Sequence, residues 1–360
     1  MRLLLTLPLL VALPLLGCST KPSGGDPPPP SPPTSRPSSA SPPPSLSVVA
    51  GSPSPTSGII EMTSKSFIRR RSADGAWHDE TLIQPNAHGE MLRAVWSAGS
   101  DIYVTGYAYT GVDGPDDGVV YKRQADGRWQ QVFKVRLEEL GGGWASGPND
   151  VYATGVAVAH YDGKSWRKIQ IGKGNRTSYR ISGSGPKDVL AFESTGTIHR
   201  LGESGAWSPE TDLKTPLNDG LVIDADTAYA VGEAGAVFHR VKGTWKKEDS
   251  GVRGQLTHLW ASGPGDVYAA GSALVHTTGD GKWTRVEVPR IGQPTQITGR
   301  AANDVWALGL EGIAHHDGAR WEPLALDVIK PKAAQGMVAL DAIALIAGEV
   351  FVTGDSTTPL

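Results

Sequence analysis

Two short phrases recur seven times each along this chain, and the two series are out of phase. A tryptophan follows a glycine-containing turn, as in "ADGRW" or "YDGKSW", at intervals of 37 to 52 residues. An acidic residue opens a short apolar phrase, as in "DVYATG" or "DVWALG", the same number of times. The tryptophans are Trp77, Trp129, Trp166, Trp207, Trp245, Trp283 and Trp321; the acidic residues are Asp101, Asp150, Asp188, Asp226, Asp266, Asp304 and Glu349. Such self-similarity determines the architecture, so it takes precedence over any single motif.

The offset between the two series predicts a closed ring. Trp77 has no acidic phrase before it, and the phrase at Glu349 has no tryptophan after it, so the two ends together make one repeat. A ring whose last blade takes strands from both chain ends has this pattern, whereas an open solenoid has atypical capping repeats. A repeat of 38 to 40 residues suits four short strands, and 45 glycines suit many tight turns. We therefore predict an all-β fold, a seven-bladed β-propeller over 59–360 with four-stranded blades.

The repeats resemble those of bacterial secreted propellers. The "D-G-x-x-W" hairpin is similar to a degenerate Asp-box of the BNR and sialidase-like propellers, although "ESGAW" and "VKGTW" lack the aspartate. The families that share this motif include sialidases, glycosidases, photosystem assembly factors and sorting receptors. The resemblance therefore implies a fold and leaves the activity open.

The first 17 residues are typical of a secretory signal peptide. Arg2 precedes an apolar, proline-broken segment, and "LLGC" at 15–18 resembles the lipobox of bacterial lipoproteins. That resemblance implies cleavage before Cys18 and acylation of this cysteine, which is the only one in the chain. A plain signal peptide is the alternative. Acyl chains would anchor the mature protein to a lipid bilayer, and Ser19 after the cysteine favours the outer membrane if the source is Gram-negative.

Residues 18–58 have the composition of a stalk. The segment is rich in proline and serine and lacks the apolar content that offsets the entropy of ordering. Proline runs favour the extended polyproline II conformation, so about 40 residues could hold the propeller up to about 100 Å from the membrane.

The tryptophans and a series of histidines are interpreted as structural. Each tryptophan follows a hairpin glycine and is expected to pack between blades rather than to bind a ligand. The histidines His160, His199, His239, His276 and His315 occupy matching places in the predicted third strands, so they are spread around the ring and cannot share one metal ion. We expect them to make hairpin hydrogen bonds, and we predict no metal and no cofactor.

The candidate binding face carries the second turn of each blade and the connections between blades. The first and third turns recur almost unchanged, whereas the other two vary in length and chemistry, so a ligand is expected there or at the central channel. The candidate residues are Tyr107, Tyr109, Asp113, Asp116 and Asp117 on the longest turn, and Lys173, Asn175, Arg176, Arg253 and Arg290 on the connections. The acidic turn lacks EF-hand spacing, so a solvated loop is preferred over a Ca²⁺ site.

The sequence favours a binding protein over an enzyme. It contains no serine-histidine-acid motif, P-loop or zinc-protease motif, and no basic patch for nucleic acid. The leading hypothesis is a membrane-anchored, monomeric, non-catalytic scaffold for a protein partner. The alternative is a carbohydrate-binding or carbohydrate-active, sialidase-like propeller, for which "SYRIS" around Arg180 resembles an arginine motif. That alternative predicts arginines and carboxylates clustered at the channel mouth.

Replacing Cys18 with serine should leave the precursor without acyl chains, because serine cannot form the thioether of a bacterial lipoprotein. Metabolic labelling with a radioactive fatty acid, followed by immunoprecipitation of wild type and Cys18→Ser, measures this directly. Acyl label that persists on the serine variant would contradict the anchor hypothesis.

Overall fold

The computed structural model describes residues 62–359 except 84, 86, 87, 112–115, 174–176, 333, 335 and 336, and the side chains of 62–64 and 357–359 are not described. The predicted signal peptide, Cys18 and the stalk lie outside the described residues, as do Asp113, Asn175 and Arg176. No described helix is long and apolar enough to cross a membrane.

Seven sheets make up the fold, as predicted, and the first two strands of the chain belong to the last sheet. The chain begins with β1 (Met62–Arg71), β2 (Trp77–Glu80) and a short β3 (Leu82–Ile83). Blade 1 follows with β4 (Glu90–Ala98), β5 (Asp101–Ala108), β6 (Asp117–Arg123) and β7 (Trp129–Val135). The parallel pairing of β3 with β7 gives blade 1 a fifth strand, which the repeat did not predict.

Five blades of four consecutive strands come next. Blade 2 is β8 (Leu140–Gly147), β9 (Asp150–Gly155), β10 (Val158–Tyr161) and β11 (Trp166–Ile169); blade 3 is β12 (Tyr179–Gly185), β13 (Asp188–Glu193), β14 (Thr197–Leu201) and β15 (Trp207–Asp212); blade 4 is β16 (Leu217–Val222), β17 (Thr227–Gly232), β18 (Ala236–Val241) and β19 (Thr244–Asp249). Blade 5 is β20 (Leu256–Gly263), β21 (Asp266–Gly271), β22 (Leu274–Thr277) and β23 (Thr284–Val286); blade 6 is β24 (Pro294–Ala301), β25 (Asp304–Gly309), β26 (Gly312–His316) and β27 (Trp321–Leu324). A 3-10 turn (Glu233–Gly235) and one helical turn, α1 (Leu326–Ile329), complete the elements between them.

The closing blade is shared by the two ends of the chain, which confirms the split repeat. Its inner strands are β28 (Val338–Ile346) and β29 (Glu349–Pro359), and its outer strands are β1 and β2, in the order β2-β1-β29-β28. The pairing of β1 with β29 runs from Met62 opposite Pro359 to Arg71 opposite Val350. Each terminal segment therefore covers an edge that the other would leave open.

The tryptophans of the outer strands join each blade to the one before it. Five of them meet an aromatic ring of the preceding blade edge to face, at centroid distances of 6.0 to 6.4 Å: Trp166 with Tyr103, Trp207 with Tyr152, Trp245 with Phe192, Trp283 with Tyr229, and Trp129 with Phe351. Trp321 and Trp77 share apolar clusters with Tyr268 and Trp306 in the same way. Trp129 is fully buried, and the other six are partly buried.

Three of the tryptophans also donate their indole N–H to a glutamate on the outer strand of the preceding blade. Trp129 donates to Glu80 at 2.7 Å, Trp245 to Glu210 at 3.2 Å and Trp283 to Glu248 at 2.8 Å. The predicted structural role of the tryptophans therefore includes a polar contact as well as an apolar one.

The histidines of the third strands make the expected local hydrogen bonds. His160, His276 and His315 bond Asp150, Asp266 and Asp304 at 2.7 to 2.8 Å, where each aspartate opens the second strand of the same blade. His199 bonds Glu193 at 2.8 Å, and His239 bonds Glu248 at 2.9 Å. The repeated acidic phrase thus supplies the partner of the repeated histidine in three of the blades.

Charged groups hold the closing blade to its two neighbours. Glu80, whose side chain is 4% exposed, accepts hydrogen bonds from Arg70 on β1 and Arg123 on β6 of blade 1. Arg69 donates to three carbonyls at the end of α1, at 2.8 to 3.1 Å. Because buried ionised groups need such partners, these contacts fix the position of β1 in the ring.

Replacing Phe351 with alanine should destabilise the whole ring, because Phe351 is fully buried on β29 and meets Trp129 of blade 1. We expect a loss of about 3 to 5 kcal/mol in the free energy of unfolding, measured by urea denaturation. Leu310→Ala is the control, since Leu310 is 68% exposed, and it should cost less than about 0.5 kcal/mol. Equal effects of the two substitutions would contradict the conclusion that packing between the closing blade and blade 1 stabilises the ring.

Candidate functional site

A cavity of about 590 Å³ occupies the central channel and is lined by the first strand of every blade. Tyr107, near the end of β5, Gly155 at the end of β9 and Val156 in the turn that follows also line it. These residues lie on the face of the second turns and blade connections, so the cavity is on the face that the sequence indicated.

A β-bulge turns the start of the inner strand in six of the seven blades. The register shifts by one residue between Leu92 and Ala94 in blade 1, and an equivalent shift occurs in blades 2, 4, 5, 6 and 7. A bulge leaves one residue unpaired and bends its strand, which redirects the neighbouring side chains. Seven of the polar residues that line the cavity lie at or next to these positions: Arg93, Asp219, Thr257, His258, Thr295, Gln296 and Asp341.

Several of these side chains join adjacent blades across the channel wall. Asp219 accepts a hydrogen bond from the backbone N–H of Leu259 at 2.8 Å. The amide of Gln296 donates to the carbonyl of Asp341 at 2.8 Å and accepts from the N–H of Ile343 at 3.1 Å. These polar groups therefore stabilise the ring as well as lining its cavity.

Arg93 and Asp341 form the charged part of the wall where blade 7 meets blade 1. Arg93 donates to Asp341 at 3.2 Å and to the hydroxyl of Tyr107 at 3.1 Å. Tyr107 in turn packs edge to face on Tyr109, at 5.7 Å between ring centroids. Burial raises the pKa of the Tyr109 hydroxyl to about 12, with the charges of Tyr107 and Asp355 acting in the same direction.

A second carboxyl group lies beside Asp341. Burial and the neighbouring charge of Asp355 raise the pKa of Asp341 to about 7, and Arg93 opposes this rise only in part. Asp355 itself accepts a hydrogen bond from Ser66 at 2.7 Å, which ties β1 to the pair. The pair therefore favours sharing a proton over carrying two charges, as closely placed carboxyl groups do.

Arg180 and His258 face the same cavity from blades 3 and 5. Burial lowers the pKa of His258; Asp219 opposes this shift and the positive charge of Arg180 adds to it. The channel thus contains two arginines and two aspartates, together with a histidine disposed to be neutral.

The structure places some of the candidates predicted from sequence at the channel and others away from it. Tyr107 lines the channel and Tyr109 packs on it, whereas Lys173, Arg253 and Arg290 are exposed and do not line it. The acidic turn is partly used for structure: Asp117 binds Lys134 at 2.8 Å and accepts the N–H of Leu137, and Asp116 accepts the N–H of Thr110. Across the described residues, no group of acidic, histidine or cysteine side chains is placed to hold a metal ion.

Sequence reasoning missed most of the channel residues, although the repeats contained a signal. The inner strands can be aligned on the bulge. At the two positions that are Gly141 and Gly142 in blade 2, the other bulged strands carry a polar side chain: Arg93, Asp219, His258, Gln296 or Asp341. Polar residues that vary within an otherwise repeated strand indicate that the strand borders a cavity rather than a packed core.

Comparisons with known proteins support the propeller fold and identify no family. No protein-family model and no curated protein matches the chain. Among solved structures, it is similar to YCF48 bound to D1 peptide, at a TM-score of 0.56 and 16% identity over 75% of this chain and 95% of that one. It is also similar to the WD40 β-propeller domain of Doa1, at a TM-score of 0.56 and 10% identity over 77% of this chain and 95% of that one. YCF48 from Cyanidioschyzon merolae is similar at a TM-score of 0.54 and 12% identity, over 74% of this chain and 95% of that one. At these identities the likeness supports the propeller fold alone.

Replacing Asp341 with asparagine should change how the stability depends on pH. A carboxyl group with a pKa near 7 in the folded protein and about 3.9 in the unfolded chain binds a proton on folding between those values, so wild-type stability falls as the pH rises from 4 to 7. Asparagine keeps an acceptor for Arg93 and removes this loss. The advantage of Asp341→Asn in unfolding free energy should be on the order of 1 to 2 kcal/mol larger at pH 8 than at pH 5.

Urea denaturation at the two pH values measures this difference. Asp280→Asn, which removes the same charge from an exposed turn, controls for the change in net charge. An advantage of Asp341→Asn that is the same at both pH values would contradict the shared proton.

Proposed function

We propose that this protein is a lipid-anchored scaffold whose propeller binds a segment of a protein partner at the mouth of its central channel. The observation that carries the proposal is the channel wall, on which Arg93, Arg180, Asp219 and Asp341 place charges of both signs around one open cavity. Positive, negative and amide side chains on one wall can bind a polypeptide, which presents hydrogen-bond donors, acceptors and ionised side chains together.

The proposed face also offers aromatic surface next to the polar wall. Tyr107 and Tyr109 pack edge to face beside the cavity, and aromatic residues are enriched where proteins bind one another. The opposite face carries the repeated turns, whose near identity indicates a structural role. A propeller of similar fold, YCF48, is described as bound to a D1 peptide, which supports the peptide-binding proposal by analogy.

The membrane attachment is part of the proposal. The sequence "LLGC" and the proline-rich segment that follows it support an acylated Cys18 and a stalk, which would present the propeller at a distance from the bilayer. An outer-membrane position would follow from Ser19 in a Gram-negative source. A scaffold in this arrangement would hold its partner near the membrane surface.

A second candidate, a carbohydrate-active propeller, is favoured by one observation. The channel holds arginines together with a carboxyl group, Asp341, whose pKa is raised to about 7, and glycoside hydrolysis uses a carboxyl group that is protonated near neutral pH. This candidate predicts turnover of a glycoside library by the purified propeller, and loss of turnover in Arg180→Gln.

Photo-crosslinking in native membranes tests the scaffold. A photoreactive amino acid in place of Tyr109 should give a discrete protein adduct, identified by mass spectrometry, because Tyr109 lies beside the channel mouth on the proposed face. The control places the same amino acid at Lys164, which is exposed on the repeated turn of the opposite face. Adducts of equal yield at both positions, or none at Tyr109, would contradict the proposed binding face.

A further inference from the structure

The wall of the channel is irregular at the junction of blades 2 and 3. The inner strand of blade 3, β12, pairs without a register shift at its start, with Tyr179 opposite Glu193 and Arg180 opposite Phe192. All six other inner strands have a bulge at that place. Arg180 is therefore presented to the channel by a backbone that differs from the repeat.

The same junction lacks the polar contact that joins the other blades. In the described part of the ring, six junctions have a hydrogen bond between a side chain near the channel and the backbone of the neighbouring blade. Ser182 accepts from Val222, and the other five side chains donate: Thr105 to Gly142, Asn218 to Leu256, Thr257 to Thr295, Gln296 to Asp341, and Thr353 to Leu92. No such bond joins β8 or β9 to β12 among the described residues. The polar groups at this junction therefore do not join blades 2 and 3 as they join the other blades.

Thr154 is the group that the pattern leaves without a partner. Its place opposite Gly142 matches that of Thr105 opposite Ala94 and Thr353 opposite Ala342. Those two threonines donate to a carbonyl of the next blade at 3.2 and 2.8 Å, whereas the Thr154 hydroxyl is buried and makes no hydrogen bond among the described residues. Thr154 is 1% exposed and borders the cavity, so its hydroxyl is a buried donor at the cavity edge that makes no contact between blades.

Arg180 and Thr154 both approach the backbone of Gly142, which forms the floor of the cavity at this place. A Cβ atom on Gly142 would lie 2.7 Å from the Thr154 Oγ1 and 2.9 Å from the Arg180 Nη1, so both groups approach the Gly142 backbone more closely than a side chain there would allow. In the described structure Arg180 has no ion pair and no hydrogen bond, and Asp219 and Asp341 are engaged elsewhere. The Nδ1 atom of His258, across the cavity, is also buried without a partner.

We propose that Arg180, Thr154 and the floor at Gly142 form a carboxylate-binding site that takes the C-terminal or side-chain carboxylate of the protein partner. The inference rests on the proposed function and specifies the partner group that the channel recognises. A guanidinium offers two parallel N–H donors that match a carboxylate, and the hydroxyl adds a third donor. A doubly charged anion fits less well, because Asp219 and Asp341 lie on the same wall.

A matched pair of minimal peptides tests the site on the intact propeller. The probes are acetyl-Ala-Ala with a free C-terminal carboxylate and the same peptide as its C-terminal amide, titrated into the ¹⁵N-labelled protein while the backbone amide signals of Gly142 and Thr154 are followed by NMR. We expect saturable shifts of both signals with the free acid and none with the amide. Shifts of similar size with both peptides would overturn the proposal.

Two variants and a matched control connect the response to the named residues. Arg180→Gln should weaken binding of the free acid at least tenfold, and Gly142→Ala should do the same while keeping every charge, because its methyl group would displace the Thr154 hydroxyl and the Arg180 guanidinium. Arg253→Gln removes an arginine that is exposed outside the channel, and it should leave binding unchanged. Binding that survives both Arg180→Gln and Gly142→Ala would overturn the proposal.

Two further measurements separate this proposal from the one on which it rests. If Tyr109 crosslinks a partner equally well in wild type and Arg180→Gln, the scaffold stands and the carboxylate site is wrong. If N-acetylneuraminate shifts the Gly142 and Thr154 signals in an Arg180-dependent way and the free-acid peptide does not, a sugar acid is the ligand and the polypeptide source is wrong. Loss of the crosslink in Arg180→Gln, with the fold intact, would support both proposals.

Discussion

The packing of one aromatic ring from each outer strand against the preceding blade is the interaction on which the rest of the structure depends. A four-stranded blade buries its faces only against its neighbours, so no blade is stable alone and the sum of the contacts matters more than any one of them. The aromatic partner lies on the second strand of the preceding blade, which is buried almost throughout, as β9 and β21 show. Each pair thus joins the outermost strand of one blade to the interior of the preceding blade.

Because the ring is closed, the same packing also holds the two ends of the chain together. Trp129 packs on Phe351, which belongs to the last strand of the chain, and Trp77 joins the cluster of Trp306 in blade 6. The closing blade therefore needs both chain ends in register, and Arg69, Arg70 and Glu80 strengthen that register where the covalent chain is interrupted. Closure also creates the channel, because seven inner strands can face one axis only when the ring is complete.

The sequence predicted the ring well and the channel poorly, for a physical reason. Blade number, the split blade and the role of the tryptophans depend on local phrases such as "YDGKSW" and "DVYATG", whose turn glycines and apolar alternation act within one hairpin. The extra strand β3 was missed because two residues carry no periodic signal. The channel residues were missed because their juxtaposition spans blades: Arg93 meets Asp341 across 248 positions of sequence, and nothing local links them.

Departures from the repeat separate scaffold from candidate site more sharply than residue type does. A histidine that recurs with an aspartate partner, such as His160, is part of the hairpin, whereas His258 occurs once, on an inner strand, and lacks that partner. The same reasoning distinguishes Thr154 from Thr105 and Thr353, which occupy equivalent places and complete the contact between blades. Conserving this contact at two threonines and leaving it open at the third lowers the stability of one junction, since a buried hydroxyl without a partner costs about 1 to 3 kcal/mol. A bound ligand that accepts the Thr154 hydrogen bond would recover that free energy, so the proposed site would couple ligand binding to the stability of this junction.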